Sequence, residues 1–300
     1  MKELKGIIAP VPTPFDENEE LALDHLADNL KRWAGTRLAG FLLLGSTGEF
    51  VYLSTDEKKK VFERARQAIA QDKIMLAGTG CESTRETIAL TGWAGDLGVD
   101  FALVINPFYY KGGMKPELLR AHYEEVAEAS PIPIVIYNMP LFTQLNMEAD
   151  LVLELASHPN IVGIKDSAPN VLQVQSICQS APEGFSVLTG AASLLQACMT
   201  VGASGAILAA ANVAYDLSVD LYDACQKDDL ERARELQGRL VSINQAVTSQ
   251  FGIGSLKALL DRMGFYGGPP RRPLRRPTTE IQERLVQVHA ENCLQEVSQS

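Results

Sequence analysis

Histidine is scarce in this 300-residue chain. The four present, His25, His122, His158 and His289, form no H-x-H or H-E-x-x-H grouping, so the usual ligand pattern of a zinc hydrolase or metal-dependent aldolase is missing and no metal is expected. Cysteine is equally uninformative as a framework. Cys81, Cys178, Cys198, Cys225 and Cys293 are odd in number, widely spaced and without a C-x-x-C pair, which suggests neither a disulfide scaffold nor a zinc site and suits a cytoplasmic protein. No apolar run approaches a bilayer span, and residues 1–6 lack the apolar core of a signal peptide. The net charge of −10 is spread without a long acidic block, so neither nucleic acid nor an anionic membrane is an expected partner. Arg271, Arg272, Arg275 and Arg276, interrupted by Pro273 and Pro277, form the one basic cluster; a solvated or subunit-contacting surface is expected there.

A glycine-rich phosphate loop is also missing where an open doubly wound sheet would carry it. The first apolar run is followed by Pro12-Thr13-Pro14, and the later Gly78-Thr79-Gly80-Cys81-Glu82-Ser83 breaks the G-x-G-x-x-G pattern at its last position. What is present is alternation. Short runs that are apolar at nearly every position recur eight times, at 6–11, 40–44, 74–77, 101–105, 132–137, 161–164, 185–188 and 206–210. Such runs belong to strands covered on both faces. Between them lie helical patterns with start signals, Ser54-x-x-Glu57 and Ser83-x-x-Glu86, and a stop at Gly98. The repeat predicts a (β/α)8 TIM barrel over residues 1–215. Helical patterns at 217–226, 230–249 and 253–263 exceed one closing helix and predict a C-terminal helical extension over 216–300, packed on the barrel.

Chemistry in such a barrel collects at the C-terminal ends of the strands. Lys165 stands there, an isolated lysine closing the run Ile161-Val162-Gly163-Ile164. Partial desolvation would disfavour its charge and leave a nucleophilic amine able to form a Schiff base; alternatively it reaches solvent and does nothing. Ser46 and Thr47 follow the second run, Tyr109 and Tyr110 the fourth; Tyr137 ends the fifth and Gly190 the seventh. Individually these read as a helix cap, packing tyrosines or a turn; their shared location points to a site. Within Gly45-Ser46-Thr47-Gly48-Glu49, free amides and two hydroxyls make a natural cradle for a small carboxylate.

Together, Gly45-Ser46-Thr47-Gly48-Glu49, Tyr137-Asn138-Met139-Pro140, Gly163-Ile164-Lys165-Asp166-Ser167 and the 28-residue step from Tyr137 to Lys165 resemble the pyruvate-dependent class I aldolase family, which includes dihydrodipicolinate synthase, N-acetylneuraminate lyase and 4-hydroxy-2-oxoglutarate aldolase. The resemblance implies a covalent imine between Lys165 and pyruvate with no other cofactor, the Tyr137 hydroxyl shuttling protons, and the pyruvate carboxylate on Ser46 and Thr47. It further implies a proton relay through Ser46 to a tyrosine from a neighbouring subunit, Tyr109 or, failing that, Tyr110. The substrate site would include Ser167, Gly190 and Ile207, and the assembly would be a homotetramer built as a dimer of dimers. Synthases of the family carry an arginine two residues after the proline of the Tyr-Asn-x-Pro segment; here Phe142 stands there and cannot pair with a carboxylate. Segments such as 77–84, 107–112, 158–163, 251–253 and 265–269 are closer to 4-hydroxy-2-oxoglutarate aldolases, so cleavage of that acid to pyruvate and glyoxylate is the leading expectation. Condensation of pyruvate with aspartate semialdehyde, or aldol or dehydratase chemistry on a sugar acid, are the alternatives, and a non-catalytic 2-oxo acid sensor ranks below them.

Overall fold

The structure is a computed structural model and describes residues 2–293. Eight parallel strands close into a barrel in which each pairs with its sequence neighbours and the last returns to the first. They are β1 (Gly6–Pro10), β2 (Gly40–Leu43), β3 (Ile74–Gly78), β4 (Phe101–Ile105), β5 (Ile134–Asn138), β6 (Ile161–Asp166), β7 (Ser186–Thr189) and β8 (Gly205–Ile207). The fold is therefore the (β/α)8 barrel expected from the alternation. The pleat explains why the strands carry no polar alternation. Ile8, Leu42, Leu76, Leu103, Val135 and Leu188 fill the lumen, while Ile7, Ala9, Phe41, Leu43, Val104 and Ile136 pack outward beneath the helices.

The helices of the ring are α1 (Leu23–Ala34), α2 (Thr55–Ala68), α3 (Thr84–Asp96), α4 (Pro116–Ala129), the single turn α5 (Pro140–Thr143), α6 (Ala149–Leu155), α7 (Val171–Ser180), α8 (Leu195–Thr200) and α9 (Tyr215–Gln226). Ser54 and Glu57 complete the capping box of α2, and Ser83 accepts the Glu86 N–H at the start of α3. Gly98, at φ 76°, lies just past the end of α3 in the left-handed conformation that favours glycine. The run 206–210 overshoots its strand most: β8 ends at Ile207, and Ala209–Asn212 turns into a 3-10 segment. There the Asn212 amide donates to the Pro10 carbonyl at 2.9 Å, tying β8 to β1 instead of extending the ladder.

Beyond α9 come α10 (Leu230–Gln245), a π-helical turn (Ala246–Gln250), α11 (Ile253–Arg262) and α12 (Thr279–Cys293). α10 packs on α8, α9 and the turn Ala192–Leu194, and the π turn and α11 on Ala209–Asn212. These helices therefore lie against the segments that follow β7 and β8, on the face where chemistry is expected. Among the described residues, no helix is long and apolar enough to cross a membrane.

Candidate active site

Lys165 is the fifth of the six residues of β6, inside the strand, because Asp166 continues the ladder beyond it. Its side chain is buried, and its Nζ lies 4.2 Å from the centroid of the Tyr137 ring. The contact follows from register. Tyr137 pairs with Lys165 across β5 and β6, so both side chains leave the same face of the barrel wall at the same height. The Tyr137 hydroxyl is in turn 3.2 Å from the Ser46 hydroxyl. An amine, a phenol and an alcohol thus stand in sequence, brought from β6, β5 and the turn after β2.

That turn is Ser46–Gly48, a single 3-10 turn opened by extended Gly45 and closed by Glu49 in the left-handed conformation (φ 56°, ψ 31°). Ser46 and Thr47 are half-buried at its start, and the Thr13 hydroxyl donates to the Gly48 carbonyl at 2.6 Å. Opposite it, Gly190 follows β7 and donates its N–H to the Asp166 carbonyl at 2.7 Å. A Cβ at Gly190 would fall 1.9 Å from the Ser167 Oγ and 3.1 Å from Lys165 Cε, so only glycine leaves the lysine stem its space. Ile207, in β8, joins Tyr137 and Leu188 in the lumen cluster. Ser46, Tyr137, Lys165, Ser167, Gly190 and Ile207 accordingly converge at one end of the barrel, with Thr47 beside Ser46.

Tyr109 and Tyr110 do not join them within the single chain. They are 74% and 76% exposed and stack edge-on at 5.0 Å, on a loop held by the Glu82 carboxylate, which accepts the N–H groups of Phe108 and Tyr109 at 3.1 and 2.9 Å. Phe142 is 61% exposed on α5, with Leu141 beside it also at the surface.

The Dihydrodipicolinate synthetase family model matches residues 3–291. The chain belongs to that family. A 4-hydroxy-tetrahydrodipicolinate synthase of Methanospirillum hungatei is 33% identical over 287 residues, covering 95% of this chain and 98% of the relative. The synthase of the same name from Methanoculleus marisnigri is 35% identical over 273 residues, covering 90% and 93%. Among solved structures, dihydrodipicolinate synthase of Aquifex aeolicus superposes with a TM-score of 0.91 at 32% identity, covering 96% of this chain and 98% of that one. Family members are pyruvate-dependent class I lyases, and this chain is such an enzyme.

Within this member of the family, two groups of buried polar residues were not given roles by sequence reasoning. The first lies directly behind Lys165 and Tyr137. Asp166 is buried, and its carboxylate accepts from Asn138 Nδ2 at 2.9 Å, Gln173 Nε2 at 2.8 Å and the Ala168 N–H at 2.8 Å. Asn146 links Asn138 to Gln173, closing a ring of amides around the carboxylate. Burial raises the Asp166 pKa above the ordinary value despite these donors. Since Asn138 follows Tyr137 and Asp166 follows Lys165, this ring fixes the ends of β5 and β6 against each other. The second group is Glu49 with Lys257, whose Nζ lies 2.6 Å from Glu49 Oε1, both side chains fully buried. Its only signal in sequence is a lone lysine inside the apolar run Leu256-Lys257-Ala258-Leu259-Leu260.

The basic cluster expected at the surface divides. Arg276 and Arg272 are exposed and pair with Glu17 and Glu19. Arg271 instead turns inward: its guanidinium donates to both Glu57 carboxylate oxygens and to the carbonyls of Tyr52 and Glu19. The correction has a physical origin, because three acceptor groups from the first 57 residues converge on one planar five-donor fork.

Proposed function

We propose that Lys165 captures the keto carbon of pyruvate as an imine. The observation that carries this reading is the buried Lys165 amine against Tyr137, whose hydroxyl reaches Ser46. The amine adds to the ketone, and water leaves after proton transfers for which the Tyr137–Ser46 pair is placed. Loss of a proton from the methyl carbon then gives an enamine, with the iminium as electron sink. The enamine carbon attacks an aldehyde, or in reverse is released by carbon–carbon cleavage, and water frees the product. Ser46 and Thr47 hold the pyruvate carboxylate through hydroxyls and turn amides, with Ser167, Gly190 and Ile207 lining the rest of the site. No other cofactor enters this scheme.

For the second substrate, similarity over nearly the whole chain to 4-hydroxy-tetrahydrodipicolinate synthases favours condensation with aspartate semialdehyde over the 4-hydroxy-2-oxoglutarate cleavage suggested by local motifs. Phe142 favours a second reading. Aspartate semialdehyde and glyoxylate both carry a carboxylate that a phenylalanine cannot pair with, whereas the aldehyde released from a sugar acid need not. Tyr109, exposed in the single chain, is offered to a partner subunit, which fits a dimer of dimers. A panel measuring pyruvate release from 4-hydroxy-2-oxoglutarate, 2-keto-3-deoxygluconate and N-acetylneuraminate, and pyruvate consumption with aspartate semialdehyde, tests the reading. Consumption with the semialdehyde is expected to be fastest; turnover of a sugar acid alone would transfer the assignment to the second reading, and no turnover of any would refute both.

A further inference from the structure

We propose that Lys257 and Arg271 are positioning residues for the Ser46–Thr47 cradle, Lys257 acting through the Glu49 carboxylate and the Arg271 side chain through Tyr52 and Glu57, which follow the turn. The inference rests on the reading of that turn as the seat of the 2-oxo acid carboxylate. Glu49 closes the turn, its N–H donating to the Ser46 carbonyl at 3.1 Å, and does so in a left-handed conformation that a residue with a Cβ keeps only when its surroundings hold it. Those surroundings come from the far end of the chain. Glu49 Oε1 meets Lys257 Nζ at 2.6 Å and Oε2 receives the backbone N–H of Arg271 at 2.9 Å, so both carboxylate oxygens are bound by the C-terminal extension. Lys257 also donates to the Pro269 carbonyl at 2.9 Å, and its Nζ and the Arg271 guanidinium lie 4.6 and 4.3 Å from the centroid of the Phe15 ring.

Arg271 grips the same segment further on. The Tyr52 carbonyl, in the turn after Glu49, and the Glu57 carboxylate, in the first turn of α2, both accept from its guanidinium. The cradle is thus held from its own strand on one side and from residues more than 200 positions away on the other. An exposed pair would contribute little, but Lys257 and Glu49 are excluded from water, and removing one partner strands a buried charge. Neither Lys257 nor Arg271 touches Lys165 or Tyr137 by any hydrogen bond. Their effect therefore falls first on capture of a carboxylate, and reaches the amine only through the Ser46 hydroxyl that meets Tyr137.

The test compares borohydride reduction onto Lys165 with two ketones, pyruvate and acetone, the second having no carboxylate to seat. Wild type, Lys257→Met, the double variant Glu49→Gln/Lys257→Met and Arg271→Lys are measured, with the modified peptide identified by mass spectrometry. Half-saturation by pyruvate is expected to rise about tenfold or more in Lys257→Met, and less in Arg271→Lys, while the acetone rate falls by a clearly smaller factor. Should Lys257→Met fail to fold, the double variant, which leaves no unpaired buried charge, and Arg271→Lys carry the comparison. Pyruvate half-saturation within about twofold of wild type in the folded variants, or equal losses for both ketones, overturns the proposal. Absence of any pyruvate adduct in the wild type would instead overturn the reading of the site itself.

Discussion

Replacing Gly190 by alanine probes the space reserved for the Lys165 side chain. The added methyl would meet Ser167 Oγ at 1.9 Å, Ser167 Cβ at 3.0 Å and Lys165 Cε at 3.1 Å. The serine hydroxyl can rotate aside, but its Cβ cannot, because the Ser167 N–H is bound to the Asn138 carbonyl at 2.9 Å and the Gly190 N–H to the Asp166 carbonyl at 2.7 Å. Carbon–carbon contact is comfortable at roughly 3.5–4.0 Å, so about half an ångström must be absorbed, and the lysine stem is the softest neighbour. A displacement of ~1 Å costs on the order of a hundredfold in a positioned reaction, so half of that predicts about tenfold slower imine trapping. The accompanying loss of stability from overpacking is about 1–3 kcal/mol. The assay is the initial rate of pyruvate-dependent borohydride reduction on Lys165, with urea unfolding alongside. Ser167→Gly/Gly190→Ala removes both serine contacts but keeps the 3.1 Å contact with Lys165 Cε, so it is expected to recover stability and not the trapping rate. Wild-type trapping by Gly190→Ala, or full recovery of the rate in the double variant, would refute the steric argument.

Further expectations follow from the same geometry. Tyr137→Phe removes the hydroxyl that meets Ser46 and should slow turnover by about 10²–10⁴-fold, the usual range for a lost proton-transfer group, with secondary structure unchanged by circular dichroism. Asp166→Asn puts an amide where Asn138, Gln173 and Ala168 all donate; urea unfolding should show a loss of about 1–3 kcal/mol, and an unchanged midpoint would deny the ring its bracing role. His122, buried in α4 with Nδ1 2.9 Å from the Thr84 hydroxyl, has its pKa lowered by burial from 6.5 to about 4. The unfolded chain therefore binds this proton first, and stability falls as pH drops from about 6.5 towards 4, by on the order of 3 kcal/mol. His122→Asn should remove that part of the acid limb, read as the difference between variant and wild-type unfolding free energies across the window. Equal pH slopes for the two proteins would contradict it.

Which parts of this were legible from sequence follows from how far each signal extends along the chain. The strands announced themselves because burial on both faces requires apolar residues at successive positions, and the runs at 74–77 and 101–105 reappear almost unchanged as β3 and β4. Lys165 was visible for the complementary reason, a lone charge within such a run. The run 206–210 misled because Ala209 and Ala210 are as apolar as a strand while the backbone turns there, held by Asn212. Glu49 and Lys257, 208 residues apart, have no local pattern that joins them, and Arg271 sits among arginines that remain at the surface. Asn138 and Asp166 lay inside recognised motifs, yet their joint role depends on the β5–β6 register and on Gln173 and Asn146 arriving from elsewhere.

The central claim is a covalent bond between the amine of Lys165 and the keto carbon of pyruvate. Incubating the intact enzyme with pyruvate and borohydride, digesting it and sequencing the modified peptide by mass spectrometry tests this directly. One reduced pyruvate adduct per chain is expected, located on Lys165 and absent in Lys165→Ala. An adduct on another lysine, or a wild-type enzyme that stays unmodified at saturating pyruvate, would contradict it.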